Sequence, residues 1–320
     1  MQAFRTAATV VDALTAEELD RRIRAGTLKD LKGIGPKTAT AIAQAHKGET
    51  PEYLAKLEED FAEVVPLADA VAAFRAALKG DLHAHSDWSD GGSPIRDMAE
   101  AAIALGHEYL ALTDHSPRLT VANGLTPERL ERQLAEVDKL NEELTPFRIL
   151  TGIEVDINVD GSLDQTDELL GRLDVVVASV HSELRAPSPQ MTARMLTAVA
   201  NPHTDVLGHC TGRLVIGRRQ RNGSQRPRPE SQFDADAVFA ACVEFGTALE
   251  INSRPERLDP PRRLLTRAVE IGCQFAIDTD AHAPGQLDWQ SNGCERAVEC
   301  EVPLERIVNT RPADRLWSRR

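Results

Sequence analysis

The chain has few aromatic residues, few cysteines and no long hydrophobic run. Aromatic side chains make up 4% of its 320 residues, so a folded core must be built mainly from Leu, Val, Ile and Ala. The five cysteines are odd in number and have no C-x-x-C spacing, which fits a reducing cytosol better than a disulfide framework. Apolar runs extend over only a few residues, as at Val175–Ala178, far short of a membrane span. Arg5 and Asp12 interrupt the N-terminal segment, which is not typical of a signal peptide. We expect a cytoplasmic protein with no membrane partner.

The charge of the chain is negative overall but unevenly distributed. The formal net charge of −13 argues against a uniformly basic surface. Apolar residues at 42% and charged residues at 27% are typical of a folded soluble protein. Six basic residues and one acidic residue lie between Arg21 and Lys37, and six arginines with no carboxylate lie between Arg213 and Arg228. A charge run is usually a solvated face, but two basic islands on an acidic chain favour a phosphate-bearing partner.

Residues 1–79 have the pattern of a small all-helical domain. Apolar residues from Ala3 to Leu14 recur at helical spacing. Thr15 followed by Glu18 is a capping box, and Gly26 is a helix stop signal. Further helices are predicted at Leu28–Leu31, at Lys37–His46, from Thr50-Pro51 onward and at Pro66–Lys79.

From Gly80 to the end at Arg320 the pattern changes to short β-rich runs that alternate with helices. Amphipathic helices such as Ile95–Leu105 and Pro127–Glu143 separate most of the strands. Seven strands with helical crossovers predict an α/β fold built on a parallel barrel. Ile216–Gln232, rich in Arg, Gly, Ser and Pro, is predicted to be a long exposed loop. The predicted strands are Asp81–His85, Tyr109–Thr113, Arg148–Val155, Asp174–Val180, Asp205–Gly208, Thr247–Ile251 and Gln274–Asp278.

Residues that can bind metal ions occur where these predicted strands end. Groups at the carboxyl ends of parallel barrel strands converge on one cavity, and His-x-His spacing puts both side chains on one face. Imidazoles with carboxylates suit zinc, manganese or iron, and nine such groups would serve two or three ions. A single histidine is more often a hydrogen-bonded core or surface residue, which is our interpretation of His46, His107 and His203, although His203 could also support a ligand. The sixth strand carries Glu250 and Asn252. The nine candidates are His83, His85, Asp90, His115, Glu154, His181, His209, Asp280 and His282.

These residues lie in short motifs that resemble the polymerase-and-histidinol-phosphatase (PHP) family. The resemblance covers about residues 80–320 with all the motifs in order. It implies a distorted seven-stranded (β/α)7 barrel that holds a trinuclear metal site and hydrolyses phosphoesters. The motifs are Asp81-Leu82-His83-Ala84-His85-Ser86, Thr113-Asp114-His115-Ser116, Gly152-Ile153-Glu154-Val155, Ser179-Val180-His181-Ser182, Gly208-His209 and Asp278-Thr279-Asp280-Ala281-His282.

The resemblance also implies a division of the ligands among three ions. His83, His85, Glu154 and Asp280 would hold one ion. Glu154 would bridge to a second ion held by His181 and His209. Asp90, His115 and His282 would hold the third, and because some relatives have histidine at the position of Asp90, this ion is expected to be weaker or different in kind.

Other residues are assigned supporting roles in phosphoester hydrolysis. The ions would activate a water that attacks phosphorus and would neutralise charge on the leaving oxygen. Asp114 would orient a ligand histidine. Arginines grip phosphate oxygens through two hydrogen bonds, so Arg213 and Arg257 are the leading phosphate contacts, although each could equally be a surface charge. Arg218, Arg219 and Arg254 are weaker candidates.

The N-terminal sequence contains a pattern that resembles the helix-hairpin-helix motif. It runs from Leu28 to Ile42 and centres on Lys32, Gly33, Ile34, Gly35 and Lys37. Glycines allow a tight backbone turn, and amides exposed there could hold a DNA phosphate without reading the sequence. Lysines would add charge. The simpler interpretation is an ordinary helix turn that glycine stabilises.

The PHP motifs look closest to the C-terminal PHP domains of bacterial family X DNA polymerases, whose small N-terminal domain the helical segment also resembles. About thirty residues separate the hairpin region from the first metal strand, too few for a polymerase palm, so no polymerisation is predicted. We expect a metal-dependent DNA-end processing enzyme, a 3′–5′ exonuclease or 3′-phosphatase acting in DNA repair. The alternatives are a small-molecule phosphomonoesterase of the histidinol-phosphatase type and a scaffold with a degenerate metal site.

Overall fold

The computed structural model describes residues 2–54, 69–217 and 226–317, and the chain divides into two compact units, Met1–Leu67 and Ala68–Arg320. Arg218 and Arg219, two of the predicted phosphate contacts, lie outside the described residues, as do most of the helix predicted after Thr50-Pro51 and part of the loop predicted at 216–232. No helix among the described residues is long and apolar enough to cross a membrane.

The first unit is helical, as predicted. Its helices are Gln2–Asp12, Ala16–Ala25 and Pro36–His46, with a 3-10 helix at Leu28–Asp30. The Thr15 hydroxyl accepts a hydrogen bond from the Glu18 amide, and Gly26 ends that helix with φ of 67° in the left-handed region. The unit is held together by a small apolar core centred on Ala7, Leu28 and Ile34.

The second unit is built on seven parallel strands in sequence order, which confirms the predicted barrel. Each strand is followed by a helix, so every connection is a crossover between neighbouring parallel strands. The strands are β1 Gly80–Ala84, β2 Tyr109–Leu112, β3 Arg148–Asp156, β4 Val175–Ser179, β5 Val206–Leu207, β6 Ala248–Asn252 and β7 Phe275–Asp278. The crossover helices are Ile95–Ala104, Pro127–Leu144, Asp167–Leu170, Ser188–Val199, Ala235–Phe245, Arg262–Ile271 and Gln290–Glu299.

Alternate residues of each strand belong to different apolar clusters. Val175 and Val177 of β4 pack in one cluster with residues from other strands, whereas Val176 packs with the surrounding helices. Since successive side chains of a strand point to opposite faces, the first cluster fills the barrel and the second covers it. In β6, Ala248 belongs to the inward row and Leu249 to the outward one. The inward rows therefore fix which side chains appear at the carboxyl ends of the strands.

The edge strands β1 and β7 meet along a seam that relies on side chains. An isolated bridge joins Ala84 to Ala281. Asp278 Oδ1 accepts the Leu82 amide at 2.9 Å, and Asp81 Oδ2 accepts the Thr279 hydroxyl at 2.5 Å. Carboxylates from each strand thus bind the opposite strand, and the barrel is nearly closed.

The helix Asp69–Ala77 belongs to the barrel unit. Val71, Phe74 and Leu78 pack in the main core of that unit, and Arg75 Nη2 lies 3.1 Å from His107 Nε2. The compact units therefore divide between residues 67 and 68, rather than at residue 79, because the apolar side of this helix is buried with the barrel.

Candidate metal centre

Inward rows of several strands end in imidazoles and carboxylates. In β3 the row that begins with Leu150 reaches Glu154, and in β4 the row through Val177 continues to His181. Gly208, just after β5, faces the β4 row, where an added Cβ would stand 2.3 Å from Ser179 Oγ and 2.8 Å from Val177 Cγ1. The close approach of backbone and side chains explains why glycine precedes His209.

Glu154 lies at the centre of the cluster and is fully buried. Its Oε1 is 2.8 Å from His209 Nε2 and 3.2 Å from His181 Nε2. Its Oε2 is 2.9 Å from His115 Nδ1 and 3.3 Å from His83 Nε2. One carboxylate therefore faces imidazoles from four other strand ends, an arrangement suited to bridging two cations.

An outer group of four residues lies at the mouth of the cluster. Asp90 Oδ1 is 3.4 Å from His115 Nε2 and 3.3 Å from His282 Nε2, and His85 completes the set, all with donor atoms within 4.8 Å of one another. Asp90 is 39% exposed, whereas His85 is fully buried. Three groups of residues in the cluster could hold a metal ion, and this group is the most accessible to solvent.

An inner group consists of His83, His85 and Asp280. His85 Nε2 is 3.5 Å from Asp280 Oδ1. Asp280 has φ of 53°, a left-handed conformation that is uncommon for aspartate and is often found at functional sites. Arg257 Nε donates to Asp280 Oδ2 at 2.8 Å, and Arg254 Nη1 lies 3.4 Å from Asp280 Oδ1. Two arginines thus neutralise this carboxylate, and Arg254 Nη1 also lies 3.3 Å from His282 Nδ1.

The structure brings together all nine predicted ligands, in groups close to those that the family resemblance implied. Asp90, His115 and His282 lie together, with His85 as a fourth member. The residues that the resemblance assigned to the second ion, His181 and Glu154, also lie together, and His115 joins them. His209 reaches the same group through its contact with Glu154. The assignment of individual ligands to individual ions stays a prediction.

The buried atoms at the centre fit a divalent metal. Among the described residues, no hydrogen bond reaches His83 Nε2, His85 Nε2, His181 Nε2 or Glu154 Oε2, although all four atoms are buried. Buried polar atoms are nearly always paired, and atoms left without a hydrogen bond at one point favour an ion there. Nitrogen and carboxylate donors are the ligands that zinc, manganese and iron accept.

The pKa shifts of His85 and Glu154 suit cation binding, whereas for His83 and His181 the neighbouring carboxylates outweigh burial and raise the pKa, to about 9 for His181. Burial lowers the pKa of His85 well below its usual range, and the neighbouring His282 and His115 lower it further. Burial alone would raise the pKa of Glu154, but His181, His83 and His115 hold it well below its usual range. Neutral imidazole and ionised carboxylate are the forms that bind a metal ion.

Two carboxylates that were not predicted as site residues orient the candidate ligands. Asp156 Oδ1 lies 2.5 Å from His181 Nδ1, and Glu250 Oε1 lies 2.6 Å from His83 Nδ1. A carboxylate on the second ring nitrogen fixes the tautomer and leaves Nε2 free for a metal. The sequence signal for Asp156 was its spacing of two residues from Glu154, which puts both on the inward row. For Glu250 the sequence signal was its position near the carboxyl end of the sixth predicted strand, which carries none of the nine candidate ligands.

A family model for the PHP domain matches residues 81–254, which is more than half of the chain. The chain belongs to the PHP domain family. Members of this family are metal-dependent phosphoesterases, and the chain is accordingly a metal-dependent hydrolase that acts on phosphoester bonds.

Relatives of two kinds are similar to this chain. The DNA polymerase/3′-5′ exonuclease PolX of Bacillus subtilis is 41% identical over 268 residues, which are 83% of this chain but 45% of that protein. The chain therefore spans less than half the length of that relative. A probable phosphatase of Thermoanaerobacter pseudethanolicus is 28% identical over 241 residues, which are 72% of this chain and 89% of that protein.

A solved structure shows that the barrel fold is shared. A histidinol phosphate phosphatase from Lactococcus lactis, crystallised with zinc, L-histidinol and phosphate, superposes with a TM-score of 0.50. The match has 20% sequence identity and covers 69% of this chain and 92% of that one. The likeness confirms the predicted PHP barrel.

Asp114 and Arg213 have surroundings in the PHP barrel that differ from their predicted roles. Asp114 accepts hydrogen bonds from the Ser86 hydroxyl at 2.6 Å and Gln133 Nε2 at 2.6 Å, and also from Ser89. Of the described residues that it contacts, none is a candidate ligand histidine, so it organises the loop between His85 and Asp90. The guanidinium of Arg213 donates to backbone carbonyls of the loop after β6, at Arg257 and Leu258.

The predicted DNA-binding residues lie at the turn before the helix Pro36–His46. Lys32 and Lys37 are exposed, and Gly33 has φ of 100°, a conformation that favours glycine. The other two are engaged within the unit. Ile34 is buried in its core and its amide donates to the Leu31 carbonyl, while the Gly35 amide donates to the Thr38 hydroxyl at 2.9 Å.

Proposed function

We propose that this PHP enzyme processes DNA 3′ ends, as a 3′–5′ exonuclease, a 3′-phosphatase or both. The observation that carries the proposal is the presence, in one chain, of a convergent metal centre and a helical unit with a lysine-flanked glycine turn. The similarity to PolX, a polymerase named for 3′-5′ exonuclease activity, spans 83% of the chain and supports this substrate class. We propose a role in DNA repair without polymerase activity.

In this proposal the nine strand-end residues hold two or three divalent ions of zinc, manganese or iron. Such ions supply a hydroxide at neutral pH and neutralise charge on the phosphoryl oxygens. Glu154 would link the group that contains His181 and His209 to the group that contains His83. Its Oε1 faces the first two imidazoles, and its Oε2 faces His83 and His115. Asp90, which is exposed, lies where a substrate would enter.

Arg257 is the residue best placed to contact the phosphate. Its Nε binds Asp280, and its Nη1 is buried with no hydrogen-bond partner among the described residues. A guanidinium can bind a carboxylate with one edge and a phosphate oxygen with another, which lysine cannot do. Arg213, by contrast, has its donors directed to backbone carbonyls, so we propose that it shapes the loop that carries Arg257.

The helical unit is proposed to hold the DNA backbone. The exposed ammonium groups of Lys32 and Lys37 flank the turn, and the N-terminus of Pro36–His46 adds a partial positive charge. Contacts of this kind go to phosphates and do not depend on base sequence. Replacing both lysines by glutamate should weaken DNA binding without changing turnover of a small phosphate monoester.

The decisive experiment uses gapped DNA duplexes with a labelled strand that ends in a 3′-hydroxyl or a 3′-phosphate. Purified full chain is incubated with manganese, beside His83→Ala and beside a small phosphate monoester. Shortening or dephosphorylation of the DNA that needs His83 and far exceeds monoester turnover is expected. Retained metal without turnover of any phosphoester would instead indicate a scaffold.

A second candidate function is hydrolysis of a small phosphate monoester. The probable phosphatases favour it because the match spans 89% of the length of such a protein, whereas the PolX match spans 45%. Turnover of the monoester alone would establish this function and leave the helical unit a structural role. In either case we propose a cytoplasmic enzyme, because the five cysteines are all free and buried.

A further inference from the structure

Strand β6 supplies none of the nine candidate ligands, yet its inward row ends in two fully buried polar residues. The row begins with Ala248 inside the barrel and continues to Glu250 and Asn252. Burying a carboxylate and an amide in a barrel is costly unless each finds partners. Their partners are therefore informative about why β6 differs from its neighbours.

Glu250 contacts two candidate ligands that come from different strands. Its Oε1 lies 2.6 Å from His83 Nδ1, on β1, and its Oε2 accepts the backbone amide of His209, just after β5. Asn252 extends the network, since its Nδ2 lies 3.2 Å from Glu250 Oε2 and 3.4 Å from Asp280 Oδ2. The two residues thus reach three candidate ligands without being ligands themselves.

We propose that Glu250 is a positioning residue that couples two parts of the metal centre. On one side it holds His83 with the proton on Nδ1, so that Nε2 offers its lone pair. On the other side it fixes the backbone at His209, whose Nε2 meets Glu154 Oε1 at 2.8 Å. Loading of the His83 group and the His209 group is therefore linked through one buried carboxylate. This inference rests on the metal centre proposed above.

The chemistry of the side chain makes the proposal specific. A carboxylate has two acceptor oxygens, and Glu250 uses Oε1 for His83 Nδ1 and Oε2 for the His209 backbone amide and Asn252 Nδ2. Glutamine has one acceptor oxygen and one NH2 donor group in about the same volume. In Glu250→Gln, a side-chain NH2 group that faces His209 meets the backbone N–H of His209, so two donors oppose each other. If the NH2 group faces His83 instead, Nδ1 of His83 must become the acceptor, and the ring proton moves to the Nε2 that would bind metal.

The experiment compares the wild-type chain with Glu250→Gln and a matched control, Asp205→Asn. Asp205 is a buried carboxylate at the opposite, amino end of the strands, where it accepts the Val176 amide at 2.9 Å. Each protein is stripped of metal and reloaded with Zn²⁺ or Co²⁺. Bound ions are counted by plasma mass spectrometry, affinities are measured by titration calorimetry, and the Co²⁺ absorption spectrum reports the ligand field.

We expect Glu250→Gln to bind the buried ions about 10- to 100-fold more weakly, with an altered Co²⁺ spectrum. Asp205→Asn should match the wild type. Weakening should also be smaller when His83→Ala is already present, because the two changes act on one ligand. A folded Glu250→Gln chain with wild-type affinity and spectrum overturns the proposal. A wild-type chain that binds no divalent ion overturns the metal centre as well.

A measurement on the wild type covers the case in which Glu250→Gln fails to fold. Nitrogen-15 spectra of zinc-loaded chain with labelled histidine reveal which ring nitrogen of His83 is protonated. The proposal expects a hydrogen-bonded proton on Nδ1 and a zinc-bound Nε2. A proton on Nε2, or zinc on Nδ1, would show that Glu250 does not set the tautomer.

Discussion

Replacing Arg257 by lysine should separate substrate binding from metal binding. In the structure Nε of Arg257 donates to Asp280 at 2.8 Å, while its buried Nη1 has no partner among the described residues. Lysine keeps the positive charge beside Asp280 but cannot offer a second, rigidly placed donor. The variant should therefore retain its metal ions and lose one hydrogen bond to the phosphate.

The expected magnitude follows from that one hydrogen bond. A hydrogen bond between charged groups contributes about 1.5–3 kcal/mol. Lost from the transition state, it lowers kcat/KM by about 10- to 150-fold. The assay is steady-state hydrolysis of whichever phosphoester proves to be the substrate, at equal metal occupancy. Arg267→Lys is a suitable control because Arg267 is exposed and pairs with Asp236.

Two results would refute this reasoning. A value of kcat/KM within about two-fold of wild type would show that Nη1 makes no contact with the reacting phosphate. Parallel loss of metal and activity would show that Arg257 acts through Asp280 rather than on the substrate. Only a loss of activity at full metal occupancy supports the assigned role.

Three further predictions concern two residues beside the metal centre and one, His107, that precedes β2 at the amino end of the strands. Asp156→Asn should weaken metal binding about 10- to 100-fold, because His181 loses a charged partner, and calorimetric titration showing unchanged affinity would contradict this. Gly208→Ala should lower the free energy of unfolding by about 1–3 kcal/mol, because the new methyl group overlaps Ser179 and Val177, and urea denaturation measures it. Burial, assisted by Arg75, lowers the pKa of His107 from 6.5 to about 4, so its contribution to stability is present above pH 6.5 and is lost as the pH falls toward 4. Between pH 7 and pH 5 the wild type should lose about 2 kcal/mol more than His107→Gln, and parallel losses would refute the shift.

The sequence was sufficient to predict the barrel and the convergence of the nine candidate ligands. Strands that alternate with crossover helices indicate that neighbouring strands are parallel. A parallel barrel brings the carboxyl ends of its strands together irrespective of the conformation of the loops. All seven predicted strands overlap the observed ones, with ends that differ by at most one residue, as at β5 Val206–Leu207. His107 is buried beside Arg75, in keeping with its interpretation as a core residue.

The supporting residues were harder to predict because their roles depend on which strands face one another. Asp156 and Glu250 are distant in sequence from the histidines they contact, and their pairing follows from the barrel register. Asp114 adjoins His115, which suggested a role with a ligand, but β2 turns its side chain toward the loop after β1. Likewise, only packing shows that the helix Asp69–Ala77 belongs with the barrel.

The seam between β1 and β7 has a consequence for how the barrel opens. His83 and His85 lie on one side of it, and Asp280 and His282 lie on the other, so ions bound by both pairs would fasten the two edges of the sheet together. Without ions the seam depends on the bridge at Ala84 and on two carboxylates, Asp81 and Asp278. Local unfolding occurs most readily in the cooperative units that have the lowest free energy of opening. Amide hydrogens of β1 and β7 should then exchange with solvent deuterium earliest in the barrel, and metal should slow them more than those of β3 and β4.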